Sequence, residues 1–473
     1  MNKVRIEHDS IGTKEISLDS YYGIHSVRAA ENFPITKQAI HPQLINSLAA
    51  IKQAAAITNY EAGLLEGTVK EAIVQASQDI LDGLFHDQFI VDPIQGGAGT
   101  SMNMNANEVI CNRALELLGN KKGEYRILHP NDHINAGQST NDVIPTAGKI
   151  AIIQLMQQLK QTMHTLILAL EDKATEFYPI LKMGRTQLQD AVPIRLGQEF
   201  HAYVIAVERC NNRLDSILQE LYTVNLGGTA IGTGLNADLY YFHHIVPNLS
   251  RITHLPLQQA EDLVDGTQHV DVFVMASNVV KTCAVTLSKI ASDLRLLSSG
   301  PKTGFGEITL PAKQNGSSIM PGKINPVVPE VINQIAFNII GNDVTIGLAA
   351  EAGQLELNAF EPIIFYKLIE SIETLTNGIK TFTDNCICGI TANAKRCNQL
   401  VTSSVGIVTA LCPYIGYGQA ASLVKEAMTS GKTIEELVLH HQLISQEELA
   451  TILNPTHMTQ PGISGKVYQS NLS

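Results

Sequence analysis

Tryptophan is absent from the 473 residues and aromatic side chains make up only 5%, so packing must rest on Leu, Ile, Val and Ala. Positive charge is short as well: 33 Lys and Arg stand against 45 Asp and Glu, a formal charge of −12. No basic face stands out, which argues against nucleic acid or an anionic membrane as partner. An anionic substrate would have to be held by local donors working against that net charge. The seven cysteines are scattered in an odd count without paired spacing, as expected of reduced thiols in a cytoplasmic protein. Cys386 and Cys388 lie two apart, which is not a metal-knuckle spacing. There is no run of transmembrane character, and the opening MNKVRIEHDS is too polar for a secretory leader.

Aliphatic surface is what the chain has in quantity. Apolar residues are 44% of the total, and the length suggests about three domains. Residues 1–140 read as a mixed, mostly helical domain. Its segment IGTKEISLDSYYGIHSVRA has no clean period and is expected to be irregular, with a short turn or hairpin. HPQLINSLAAIKQAAAITNYEAGL and TVKEAIVQASQDILDGL repeat apolar positions at helical spacing.

From Pro145 the character changes, and 141–389 reads as a central bundle of long helices. After Gly148 about thirty residues pass without a breaker, which is roughly 45 Å of helix. Further long runs cover Ile194 to about Val224, Gln268 to Leu297, Pro329 to beyond Asn342, and Glu361 to Asp384. Helices this long and this apolar must be buried against one another, and one chain has little else to cover them. The expected fold is mostly α, with long helices pooled between chains as an oligomer core. Residues 390–473 read as a small C-terminal helical domain.

Three polar stretches carry the candidate chemistry. In QGGAGTSMNMNANEVI, Thr100 and Ser101 follow Gly96, Gly97 and Gly99. They suit either the N-cap of a helix VICNRALELLG or a close backbone approach to a ligand. In HPNDHINAGQSTND, Ser139, Thr140, Asn141 and Asp142 form a dense polar set at a helix start. His129 and His133 are four apart, but Pro130 intervenes and no acidic partner follows the zinc pattern, so no metal site is assigned.

The third stretch is the loop 316–330, GSSIMPGKINPVVPE. Gly316 and Gly322 permit unusual backbone, so a mobile loop with exposed N–H groups is expected. Five residues separate these glycines where a phosphate loop has four, and Ile324 stands where a magnesium-binding hydroxyl belongs. Asn325 or Pro329 marks a helix start, which with Lys323 makes an anion site. A flexible capping loop and a catalytic lid both remain open on the residues alone.

GSSIMPGKINP closely resembles the signature of the aspartase/fumarase superfamily, whose members cleave C–N or C–O bonds and release fumarate. GTSMNMN, HINAGQSTND and GRTQLQDA match its other active-site patches, and the resemblance runs nearly end to end. It implies that Ser317 is the base that removes the Cβ proton, and that Ser318 with the loop backbone binds the adjacent carboxylate. Lys323 and Asn325 would hold the substrate, with Thr100, Ser101, Ser139, Thr140, Asn141, Thr186 and Gln187 as further contacts. It also implies a homotetramer with a multi-helix core, active sites shared between chains, and no organic cofactor. Activation by divalent cations is left open.

Fumarases and several aspartases carry His where this chain has Gln187. Malate loses hydroxide, which needs a proton donor, whereas aspartate loses neutral ammonia from its ammonium form; Gln cannot serve as that donor. Gln187 therefore disfavours fumarase, and PVVPEVINQ after the loop resembles the aspartate ammonia-lyase branch rather than fumarases. A catalytically inactive structural relative is the other alternative, disfavoured because Ser317 and Lys323 are both present.

Overall fold

Five helices of 25 residues or more carry most of the aliphatic surface: Thr140–Phe177, Leu196–Leu221, Asp271–Leu297, Val327–Glu351 and Glu361–Asn385. They come from a computed structural model that describes residues 3–466. All five fall where helical periodicity places them. The first begins earlier than expected, at Thr140, with Pro145 inside it. Pro145 has no N–H to give to the carbonyl of Asn141, and a proline here ordinarily disrupts the helix. The side chain of Asn225 donates to that carbonyl instead, at 3.0 Å.

The chain forms two compact units, and the boundary between them falls inside each of the five long helices. The first comprises Met1–Gln161, Cys210–Ala284 and Ile335–Asn377. It opens with the antiparallel hairpin Val4–Asp9 and Gly12–Ser17, whose second strand lies in the stretch expected to be irregular with a short turn or hairpin. A helix, Ile24–Asn32, follows where no period announced one. Its N-terminus is capped from a distance by Glu108, whose carboxylate accepts the N–H groups of Gly23, His25 and Ser26. Helices Pro42–Glu61, Gly67–Leu81 and Thr100–Leu117 bury Leu48, Ile51, Ile73, Ile80 and Ile110.

The second unit comprises Thr162–Arg209, Val285–Gln334 and Gly378–Ser473. Between two long helices it carries the hairpin Leu181–Thr186 and Gln189–Arg195. Its short C-terminal helices pack Leu411, Leu423, Leu437, Val438 and Leu449 together, with Met183 of the hairpin in the same cluster. Thr433–Glu436 and Ser445–Glu448 capping boxes start two of those helices.

Helix Asp271–Leu297 is, by length and composition, apolar enough to cross a membrane. Its buried residues Phe273, Ala276, Val280, Ala284, Leu287, Ala291 and Leu294 recur at spacings of three and four, as on a core helix with one exposed face. Helix Val327–Glu351 shows the opposite: Phe337, Ile340, Val344 and Leu348 form an exposed apolar stripe, with Phe337 and Leu348 each more than 60% exposed.

In the first unit, Glu361 is fully buried, and its Oε2 takes no hydrogen bond from the protein. Burial raises its pKa to about 8, offset only in part by Lys149. Burial also lowers Lys149 to about 8, so that offset fades over the same range. Glu361 therefore holds a proton that the unfolded chain releases above the usual glutamate value. The resulting stability is complete below about 4.5 and is lost as pH rises through about 8. Glu361→Gln, which cannot ionise, should melt a few degrees above the parent at pH 9 and at the same temperature at pH 5. Equal melting temperatures at both values would contradict this account.

Candidate active site

Two helix starts meet in the first unit and bring five of the expected residues together. The turn Gly97–Ala98–Gly99 has positive φ at all three positions. A Cβ on Gly99 would come within 2.9 Å of Ile144, so only glycine lets helix Thr100–Leu117 start against helix Thr140–Phe177. Thr100 and Ser101 suited either the N-cap of a helix beginning at VICN or a close backbone approach to a ligand. Instead the helix begins at Thr100 itself, Gly99 is the cap residue, and no side chain caps it. Thr100 Oγ1 donates to the carbonyl of Gly97 at 2.7 Å, and Ser101 is buried.

Ser139 and Asp142 close the other helix start. The Ser139 N–H donates to Asp142 Oδ1 at 2.9 Å, and Ser139 Oγ accepts from the Asn141 N–H. Asp142 Oδ2 accepts from the N–H groups of Gly227 and Thr229, which pins the glycine-rich connector over this corner. Burial raises the pKa of Asp142 to about 6. Asn141 Nδ2 donates to the carbonyl of Ala230 at 2.7 Å.

Beneath the corner lies a lysine that the sequence reading missed. Lys52 is fully buried, and its ammonium donates to Asn135 Oδ1 at 2.9 Å and Gln138 Oε1 at 2.8 Å. Burial lowers its pKa to about 7. Asn103 Nδ2 reaches Asn135 at 3.1 Å and Thr140 Oγ1 at 3.4 Å, so the network ends on a candidate contact. A lone Lys in the alanine-rich run SLAAIKQAAAITN was the available signal.

The remaining candidates lie in the second unit. Thr186 ends one strand of the hairpin, and Gln187 and Leu188 form its two-residue turn, all three exposed. In the loop, Gly316 N–H donates to the carbonyl of Lys323, and Asn325 Nδ2 donates to the carbonyl of Gly316 at 2.7 Å. A Cβ on Gly316 would lie 2.5 Å from the Lys323 oxygen, so the loop closes only on glycine. The helix starts at Val327 with Pro329 in its first turn, and the side chain of Asn325 ties the loop rather than capping the helix.

Ser317 Oγ accepts the N–H groups of Ile319 at 3.2 Å and Met320 at 3.0 Å. Two donors on one hydroxyl oxygen are the arrangement that stabilises negative charge there. Ser318 and Lys323 are exposed, and among the described residues Lys323 joins no ion pair. The loop also exposes Ile319, Met320 and Ile324. Apolar side chains facing water on a glycine-bearing loop suit a lid that closes over a ligand.

The two histidines are taken up by backbone. His129 Nδ1 accepts from Asn131 and Asp132 at the start of a π-turn, Pro130–Ile134, and His133 Nδ1 accepts from the N–H of His129.

The sequence matches the profile described as "Lyase" over residues 12–341 and that described as "Fumarase C C-terminus" over 407–460. It is 55% identical to the aspartate ammonia-lyase of Bacillus subtilis (strain 168), over 98% of this chain and 97% of that one. A fumarate lyase:delta crystallin from Brucella melitensis, solved bound to cobalt, superposes with a TM-score of 0.95 at 47% identity. That match covers 97% of this chain and all of the other. The class II fumarase of Schistosoma mansoni gives 0.92 at 34%, over 96% and 99% of the two chains.

Proposed function

The chain belongs to the lyase family that includes aspartate ammonia-lyases and class II fumarases, and from that premise we propose that it converts L-aspartate reversibly to fumarate and ammonia. The near-full-length likeness to an aspartate ammonia-lyase carries this reading. Gln187 supports it, because an amide cannot supply the proton that a departing hydroxide needs.

The chemistry follows from the donors. Ser317 Oγ takes the Cβ proton, and the electron pair moves into the adjacent carboxylate to give a dianionic aci-carboxylate. The Cα–N bond then breaks and neutral ammonia leaves. Serine is a weak base, and the N–H groups of Ile319 and Met320 are placed to stabilise its alkoxide. Ser318, Lys323 and the loop backbone face the charge that gathers on the carboxylate, where each donor is worth roughly 3–4 kcal/mol. Ser101, Ser139, Thr140 and Asn141 supply neutral donors for the rest of the substrate, and Thr100 Oγ1, whose proton goes to the Gly97 carbonyl, offers an acceptor. No organic cofactor enters these steps.

The protein acts in the cytoplasm as a homotetramer. The stripe Phe337–Ile340–Val344–Leu348 supports assembly, because water-facing apolar surface of this kind marks an interface. Light scattering should give about four times the 51.3 kDa chain mass.

Incubation with L-aspartate should produce the ultraviolet absorbance of fumarate. A faster rate with malate than with aspartate would overturn the assignment.

A further inference from the structure

The hairpin turn is strained in a way its sequence does not relieve. Gln187 has φ +54° and Leu188 +62°, the pair of positive values a type I′ turn requires. Asn-Gly is the usual occupant, and two larger side chains in the left-handed region persist only when the surroundings hold them. Leu188 is 65% exposed, so its own packing does little of this.

The strands supply the hold. Arg185, one residue before Thr186, donates from Nη1 to Glu307 Oε1 at 2.9 Å, and its guanidinium lies 4.1 Å from the ring centroid of Phe305. On the opposite strand, Asp190 accepts from Ser404 Oγ at 2.8 Å. Glu307 is completely buried. Its Oε2 is 3.2 Å from Lys182 Nζ, in ion contact rather than hydrogen-bonding geometry, while Lys182 donates to Glu199 at 3.0 Å. The backbone of Glu307 is fixed at both ends: its N–H donates to Leu297, and its carbonyl accepts from Asn393 at 2.8 Å. Arg185 is thus clamped by a group that cannot itself move.

We propose that Glu307 is a positioning residue for the reaction, acting through Arg185 to hold the strained turn that presents Thr186 and Gln187. The inference rests on the reading of those two residues as substrate contacts. A buried ion cluster is by itself weak evidence for either stability or function. What distinguishes a positioning role is the strain: a turn content with positive φ needs no clamp.

Steady-state kinetics with L-aspartate on Glu307→Gln, Leu188→Gly and the double variant test this, with melting temperatures alongside. Glu307→Gln should raise KM by about tenfold, with a smaller change in kcat. Leu188→Gly alone should stay near the parent, because glycine accepts the turn without strain. The double variant should recover at least about a threefold part of the KM defect, a coupling that independent sites would not give. A purely structural role predicts a lowered melting temperature with KM within about twofold, or a KM that Leu188→Gly does not improve. Either result overturns the proposal. If Glu307→Gln does not fold, Arg185→Lys carries the same test, since it keeps the charge but loses the fork and the stacking. Thr186→Ala separates the premise: an unchanged KM there removes Thr186 as a substrate contact, and the positioning role with it.

Discussion

With Ser317 replaced by alanine, kcat for L-aspartate should fall by about a thousandfold or more, while fumarate still binds within a few-fold of the parent. The size follows from the role assigned to the hydroxyl. A thousandfold loss is about 4 kcal/mol of barrier, within reach of removing the one group that accepts the Cβ proton. Binding survives because Ser318, Lys323 and the threonine and asparagine donors are untouched, so the loss falls on kcat and kcat/KM rather than on KM alone. The substitution also removes the acceptor for the N–H groups of Ile319 and Met320, so some loosening of the loop is expected. Ser318→Ala is the control. It leaves that turn intact and should weaken binding more than it slows chemistry. If Ser318→Ala is the more damaged catalyst with unchanged affinity, the roles within the pair are reversed.

How much of this was legible before the fold was seen depends on what each residue is bonded to. The long helices were readable because their buried faces are aliphatic and recur every three or four residues. The first turns of helix Thr100–Leu117 were not, because Asn103, Asn105 and Asn107 are buried polar residues that break the apolar period. Their amide N–H groups are answered: Asn105 takes the N–H of Ile90 and donates to Gln88, and Asn103 and Asn107 both donate to Asn135, while Oδ1 of Asn103 and of Asn107 accepts from none of the described residues. Pro145 read as punctuation for a related reason, since its rescue comes from Asn225, eighty residues on.

The site divides the same way. Residues that present an atom outward, such as Ser317, Lys323 and Thr186, sit in short motifs that a resemblance can match. Lys52 and Glu307 support those motifs through partners distant in sequence and sit in no motif themselves; Asp142 and Arg185 lie inside matched motifs, but their partners Gly227, Thr229 and Glu307 are far along the chain. Asp142 was read as one of a dense polar set at a helix start, and it is a buried acceptor for three backbone N–H groups.

The second large effect concerns which chains build one site, and it is expected from mixing two inactive variants, Asn141→Ala and Thr186→Ala. Asn141 lies in the first turn of a 38-residue helix, about 57 Å long. Thr186 follows the last residue of that helix, Phe177, by nine positions, and nine residues of extended chain reach at most about 32 Å. In the proposed homotetramer the two residues reach one substrate from different chains, antiparallel neighbours each lending one end of a helix. Equal amounts of the two variants, unfolded together and reassembled at random, should then regain roughly a quarter of parental activity. A site drawing Asn141 from one chain and Thr186 from another is intact when each chain is of the right kind, a chance of about one half for each. Separately refolded controls should stay inactive. No recovery in a mixture shown by mass to contain hybrid oligomers would mean that this pair does not serve one shared site.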